Sequence, residues 1–190
     1  MYRMFVRPEG PAGHAGAELM ARTGVAMADE AVATLDPASD GQVLEIGFGP
    51  GLALQRLAAV VSAGHVTGVD PSTVMHRHAR ERNRAAIEAG RMTLVHGTAA
   101  QLPVRAESVD AVLAIDNLHF WPDISHGLGE VVRVLRPGGR FVCAFTPPSG
   151  GPPHRLGRMA GEAGLIVVSE KHAYSGYLLT ATAPSPRLAG

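Results

Sequence analysis

Strands and helices alternate along most of this chain, and the alternation predicts an α/β fold, doubly wound, with helices on both faces of a mostly parallel sheet. One local pattern supports this strongly. Val43-Leu44-Glu45-Ile46 is a run of β-formers that breaks into Gly47-Phe48-Gly49-Pro50-Gly51, as a buried strand does where it turns tightly into a helix. A third observation is bulk composition. With 190 residues, 46% hydrophobic and 18% charged, the chain has the size and balance of one domain with a substantial core.

Each element follows from its own pattern. Residues 1–16, with Pro8, Pro11 and several glycines, read as an irregular arm or lid, and residues 184–190 as a frayed tail; 17–183 form the domain. Over 17–35 the apolar positions Leu19, Met20, Val25, Met27, Val32 and Leu35 suit a helix interrupted near Thr23-Gly24 and ended by Asp36-Pro37. A strand over 42–46 and a helix over 52–61 follow. The next strand spans 65–69, and its helix spans 73–89 with Arg77, Arg80, Glu81, Arg84 and Glu88 on one face. A strand over 92–96 precedes a turn at 99–102. A strand over 111–115 precedes a helix over 124–134. The turn 135–139 leads into a strand over 140–145, and 146–153 is a Pro/Gly loop. A short helix over 155–163 and strands over 166–172 and 177–182 close the domain.

Composition also excludes. Formal net charge is +0, which offers no electrostatic capture of nucleic acid or of an anionic membrane. A lone cysteine, Cys143, rules out an internal disulfide framework and falls in a predicted buried strand. No apolar run reaches the roughly 18–20 residues of a membrane span, and Met1–Gly10 lacks a signal-peptide core. A cytoplasmic protein is expected. The scattered histidines form no metal-ligand set; His76 and His78, two apart on a helix, cannot share an ion from one face.

The glycine turn narrows the ligand. Its backbone N–H groups and the following helix N-terminus suit a phosphate-bearing dinucleotide in principle. However, the spacing is G-x-G-x-G, with Leu52 where the dinucleotide pattern has glycine. Glu45 would repel a pyrophosphate and suits a cation, such as a sulfonium bearing a free amino group. That points to S-adenosylmethionine (SAM). Nor does a tyrosine stand four residues before Lys171, as in a Tyr-x-x-x-Lys oxidoreductase pair.

Five stretches in order carry a family resemblance: Glu45-x-Gly47-x-Gly49-x-Gly51; Gly68-Val69-Asp70-Pro71-Ser72 with Met75 and Ala79; Gly97-Thr98-Ala99 leading to Leu102-Pro103; Val109-Asp110-Ala111-Val112; and Val134-Leu135-Arg136-Pro137-Gly138-Gly139. Across most of 40–182 the chain resembles class I SAM-dependent methyltransferases, and among them the compact small-molecule branch of ubiquinone- and menaquinone-pathway methylases. The resemblance implies a Rossmann-like, seven-stranded sheet with a reversed C-terminal hairpin. It also implies a small-molecule acceptor.

The resemblance assigns the candidate site. Gly47, Phe48, Gly49 and Gly51 form the cofactor turn, and Asp70 accepts the two ribose hydroxyls. Pro71, Ser72 and Met75 flank the adenine, although a core role for Met75 is equally open. Glu45 either holds the ammonium group or orders the loop N–H groups. Thr98 stands where the family usually has aspartate, so adenine recognition falls to the Thr98 hydroxyl and the Ala99 main chain. Asp116 or Asn117 meets the methionine moiety. His119 is the candidate general base, with an orienting or packing histidine as the alternative. Trp121 is expected to anchor the next turn. Asp110 lies at the wrong end of its strand for chemistry.

The expected activity is methyl transfer to O, N or C of a small apolar or aromatic metabolite. A non-catalytic SAM-binding regulatory or partner subunit is the alternative. The rim Asp116-Asn117-Leu118-His119 lacks the Asn-Pro-Pro-aromatic box of nucleic-acid base methylases; a protein acceptor stays open. Few residues remain to enclose an acceptor, so the pocket is shallow or completed by a second copy in a homodimer.

Overall fold

The computed structural model describes residues 10–185. Seven helices and seven strands are named along it: α1 Gly10–Thr23, α2 Val25–Leu35, β1 Gln42–Ile46, α3 Leu52–Val60, β2 His65–Asp70, α4 Thr73–Arg82, α5 Arg84–Glu88, β3 Met92–His96, β4 Val109–Ile115, α6 Ile124–Val134, β5 Leu135–Phe145, α7 Leu156–Glu162, β6 Ile166–Ala173 and β7 Gly176–Thr182. Short 3-10 turns follow β4 at Leu118–Phe120 and β5 at Pro147–Ser149.

The seven strands form one sheet in the order β3-β2-β1-β4-β5-β7-β6. Pairing is parallel from β3 to β5 and antiparallel for β5–β7 and β6–β7. This is the Rossmann-like architecture with its reversed hairpin. The sheet separates two cores because side chains alternate between its faces. Leu44, Val112, Phe141 and Cys143 pack with Leu128 and Val131 of α6 and Leu156 and Ala160 of α7. Their neighbours Val43, Ala111, Leu113 and Val142 pack with Met27, Ala31 and Leu35 of α2 and Leu54 and Leu57 of α3. Chain order reverses direction between β1 and β4, so the crevice outside their C-terminal ends is where a ligand binds in such sheets.

Three elements differ from expectation. Residues 10–16 are helical, continuous with α1, with Gly13, Gly16 and Ala17 buried. These small residues at i, i+3 and i+4 spacing give a smooth face that lets α1 approach closely, and α1 packs on α4. The rest of the expected arm, including Pro8, and the tail beyond 185 lie outside the described residues. The helix expected over 73–89 breaks at Asn83, whose side-chain amide donates to the carbonyls of Ala79 (2.9 Å) and Gly51 (3.0 Å). The turn expected at 135–139 is counted in β5. Val109 pairs with Leu135 and Ala111 with Arg140, so the register shifts opposite Asp110.

Glu107 illustrates a local cost. It is exposed and holds a left-handed φ of 48°, which disfavours a side chain by about 1–2 kcal/mol. Glu107→Gly removes that cost but adds unfolded-state entropy of roughly 0.5–1 kcal/mol. A net gain of about 1 kcal/mol is expected in urea unfolding at unchanged m-value.

Candidate active site

The C-terminal ends of β1, β2 and β4 converge on the glycine turn, which is fastened on several sides. Gly47 N–H donates to Val69 O (2.7 Å), and Gly51 N–H to Phe48 O (2.9 Å). Gly49 N–H donates to Asp70 Oδ2 (3.0 Å). Arg82 Nε reaches Pro50 O (3.1 Å), and the Asn117 amide donates to Ile46 O. The glycines serve different ends. A Cβ on Gly47 would lie 2.7 Å from Asn117 Nδ2, and one on Gly51 2.7 Å from both Ala79 Cβ and Asn83 Nδ2. At Gly49 a Cβ would meet nothing within 4 Å, and only its φ of +52° calls for glycine. The N-cap of α3, Gly51, supplies no side-chain acceptor, so the first N–H groups of that helix are not capped from within.

Two acids lie beneath this turn. Asp70 ends β2, is 6% exposed, and also accepts the Ser72 N–H on Oδ1 (2.8 Å). Burial pushes its carboxyl up to about 6, although the Ser72 and Gly49 N–H groups and the nearby His96 pull the other way. Glu45 is 3% exposed, and its Oε2 is buried without a hydrogen-bond partner. Burial first, and the negative charge of Asp70 second, raise its pKa well above the ordinary carboxylate value. Asn117 Oδ1 is likewise buried without a partner. Buried polar atoms are nearly always satisfied, so two orphan acceptors beside one turn fit a ligand that brings donors and positive charge.

Two histidines that the sequence reading did not assign to the site, buried His76 and exposed His96, lie beside Asp70. Buried His76 donates from Nε2 to the Asp70 carbonyl (2.9 Å), and its ring stacks on His96 at 3.6 Å. Its edge meets Phe48 at 4.9 Å. His96 ends β3 in register with Asp70. Desolvation is the main cause that lowers the His76 pKa, so it props Asp70 as a neutral imidazole.

A model of the family described as "Methyltransferase domain" matches residues 44–143, a little over half of the chain and the part that carries this turn. The chain belongs to that family. The cofactor that goes with the methyltransferase domain is S-adenosylmethionine. Phthiotriol/phenolphthiotriol dimycocerosates methyltransferase of Mycobacterium tuberculosis is 35% identical over 108 residues, covering 57% of this chain and 38% of that protein. Ubiquinone/menaquinone biosynthesis C-methyltransferase UbiE of Geotalea daltonii is 32% identical over 120 residues, covering 62% and 51%. The chain thus spans about half the length, or less, of these curated relatives. A SAM-dependent methyltransferase from Aquifex aeolicus superposes with a TM-score of 0.70 at 18% identity, covering 82% of this chain and 88% of that one; this likeness is one of fold.

Within the methyltransferase domain the remaining candidates are placed as follows. Phe48 and Met75 are core residues, Met75 only 2% exposed among Leu52, Ala79 and their neighbours. Ser72 caps α4, its Oγ accepting from Met75 N (3.4 Å), and Pro71 is exposed beside it. Thr98 is exposed, pairs with Gln101, and precedes buried Ala99. Asp116, at a left-handed φ of 54°, engages Thr146 with both carboxylate oxygens, accepting its N–H (2.7 Å) and its hydroxyl (2.6 Å). Its acceptors are therefore turned toward β5, and the unpartnered acceptor at this rim belongs to Asn117. His119 is exposed; its Nε2 donates to Gly151 O (2.6 Å), and its ring lies 5.1 Å from Phe145. Trp121 is buried against Gly127, where a Cβ would come within 2.3 Å of the indole, and so anchors the turn into α6. Asp110 sits at the opposite rim. Burial alone would raise its pKa, but the Gln42 N–H and the Arg136 guanidinium outweigh burial and hold it below the usual range. Among the described residues no group of three or more His, Cys, Asp or Glu is arranged to hold a metal ion. No described helix is long and apolar enough to cross a membrane.

Proposed function

We propose that the chain is a SAM-dependent methyltransferase whose acceptor is a small apolar or aromatic metabolite. The observation that carries this reading is the pair of buried, unpartnered acceptors, Glu45 Oε2 and Asn117 Oδ1, beside the glycine turn. When bound, the cofactor supplies an electrophilic methyl group on a sulfonium. Glu45 and Asn117 take its ammonium protons, Asp70 takes the ribose hydroxyls, and Thr98 with the Ala99 main chain meets the adenine edge. The protein contributes alignment and exclusion of water, effects worth about 7–11 kcal/mol in well-oriented systems.

A base acts only where the acceptor is a phenol or an acidic carbon. His119 then serves through Nδ1, because Nε2 carries the proton it gives to Gly151. An apolar acceptor is supported by Phe120 in the rim after β4, by Phe145 and the four prolines that follow it after β5, and by the relatives' names. A second copy that completes the acceptor side as a homodimer belongs to the same reading. Titration with S-adenosylhomocysteine in a calorimeter is expected to give saturable binding with one site per chain. No heat at millimolar ligand would overturn the reading at its root. Binding without methyl transfer to a broad panel of phenols, quinols and fatty acids would favour a non-catalytic partner subunit, the reading that neutral Thr98 supports.

A further inference from the structure

The loop between β5 and α7 is joined to the rim after β4 at both of its limbs. At its root, Asp116 accepts the N–H and hydroxyl of Thr146. At its far limb, Gly151 O accepts the Nε2–H of His119. Between these points lie a 3-10 turn at Pro147–Ser149 and two glycines, Gly150 and Gly151, with φ of 91° and 80° and open space where a Cβ would stand. The span between the clasps holds few donors. Pro147 and Pro148 within it, and Pro152 and Pro153 just beyond Gly151, have no N–H; Ser149 N–H donates to Thr146 O (3.0 Å), Gly150 N–H to Pro147 O (3.3 Å), and Ser149 Oγ to Thr146 O (2.7 Å). A loop whose donors are absent or turned inward presents carbonyls and proline rings.

The two clasps differ in kind. Asp116 makes two bonds to one residue, one of them a charge-assisted bond to a main-chain N–H, at the end of a strand. His119 makes one bond from an exposed ring across to a glycine pair. The second is the one that opens first, and the glycines beside it absorb the change in backbone angles. We infer that residues 146–153 form a lid on the acceptor side, fixed by Asp116 at its root and latched by His119 at Gly151, with Gly150–Gly151 as the hinge. His119 thereby has a positioning role through Nε2, separate from any use of Nδ1 as a base: its Nε2–H holds the lid shut. The lid's lining selects apolar molecules over those that need hydrogen-bond donors. The acceptor-side role rests on the methyltransferase reading; the latch itself does not.

The latch is tested on the full chain without any acceptor. In wild type, long-range nitrogen NMR is expected to show His119 protonated at Nε2. His119→Ala is expected to speed amide exchange at Gly150 and Gly151, and trypsin cleavage after Arg155, by about tenfold or more, with urea unfolding little changed. His119→Gln, which keeps a donor at similar reach, is expected to recover most of the protection. An Nδ1–H tautomer in wild type, or equal exchange and cleavage in His119→Ala and wild type, would overturn the latch. Should His119→Ala unfold, the tautomer and the His119→Gln comparison still decide. Titration of wild type with S-adenosylhomocysteine on the same samples reports the cofactor reading separately, so the two failures are distinguishable.

Discussion

Asp70→Ala is expected to weaken S-adenosylhomocysteine binding by roughly ten- to a hundredfold, since hydrogen bonds to a charged group contribute about 1.5–3 kcal/mol. Asp70→Asn is not a mild alternative. Asp70 takes Gly49 N–H on one oxygen and Ser72 N–H on the other, so an amide NH2 must face one of those donors. The ionisation of Asp70 adds a pH signature. Its carboxyl is raised from 3.8 to about 6 by burial, so the folded chain holds the proton more tightly than the unfolded chain. The associated stability is fully present below about pH 4 and is lost as pH rises through about 6. The shift corresponds to roughly 3 kcal/mol, and Glu45 acts in the same direction. Ribose hydroxyls, as donors, need the carboxylate. Ligand affinity therefore moves the opposite way and falls as pH drops below about 6, with protons released on binding. Calorimetry in buffers of different ionisation enthalpy reads this directly. Affinity independent of pH between about 5 and 7 would rule Asp70 out as the ribose acid.

Gly51→Ala is expected to cost about 2–5 kcal/mol of stability, a large share of a typical domain's total of about 5–15 kcal/mol. Two terms add. A left-handed φ of +78° disfavours alanine by about 1–2 kcal/mol, and overpacking adds typically 1–3 kcal/mol. The overlap falls on the Ala79 side chain and backbone and on the Asn83 amide, which is itself fixed by two carbonyls. Relief would cost α4 its end. Gly49→Ala is the internal control. It carries the φ term but meets open space, so about 1–2 kcal/mol is expected. Equal urea midpoints for the two variants would show that the approach of α4 to the turn is not what Gly51 is there for.

Much of the scaffold was legible because its determinants are local. The limits of β1, β3 and α6 match the sequence reading, for each is bounded by turn residues or a cap such as Asp123, which accepts His126 N–H. What escaped depends on partners far along the chain. The break at Asn83 answers to a carbonyl 32 residues away, and the extension of β5 through Pro137 answers to Val109. The helix over residues 10–16 defies glycine's propensity because α4 offers its small face a surface. Asp70 was found from its strand-end position. His76 and His96 were not, because no spacing announces a stack between a helix and a neighbouring strand. Asp116 was found as a rim acid, but its grip on Thr146 needed the sheet to bring β4 beside β5.

The place of β7 between β5 and β6 has a temporal consequence. β6 pairs with β7 alone, and β7 supplies its link to the parallel half of the sheet. As the chain emerges from a ribosome, β6 appears before its one native partner, while the five parallel strands are already in hand. Its final place is reached only when Gly176–Thr182 arrives and slots in ahead of it. Two strands thus join the sheet as one late event, and a stop codon just before Gly176 would remove both from it.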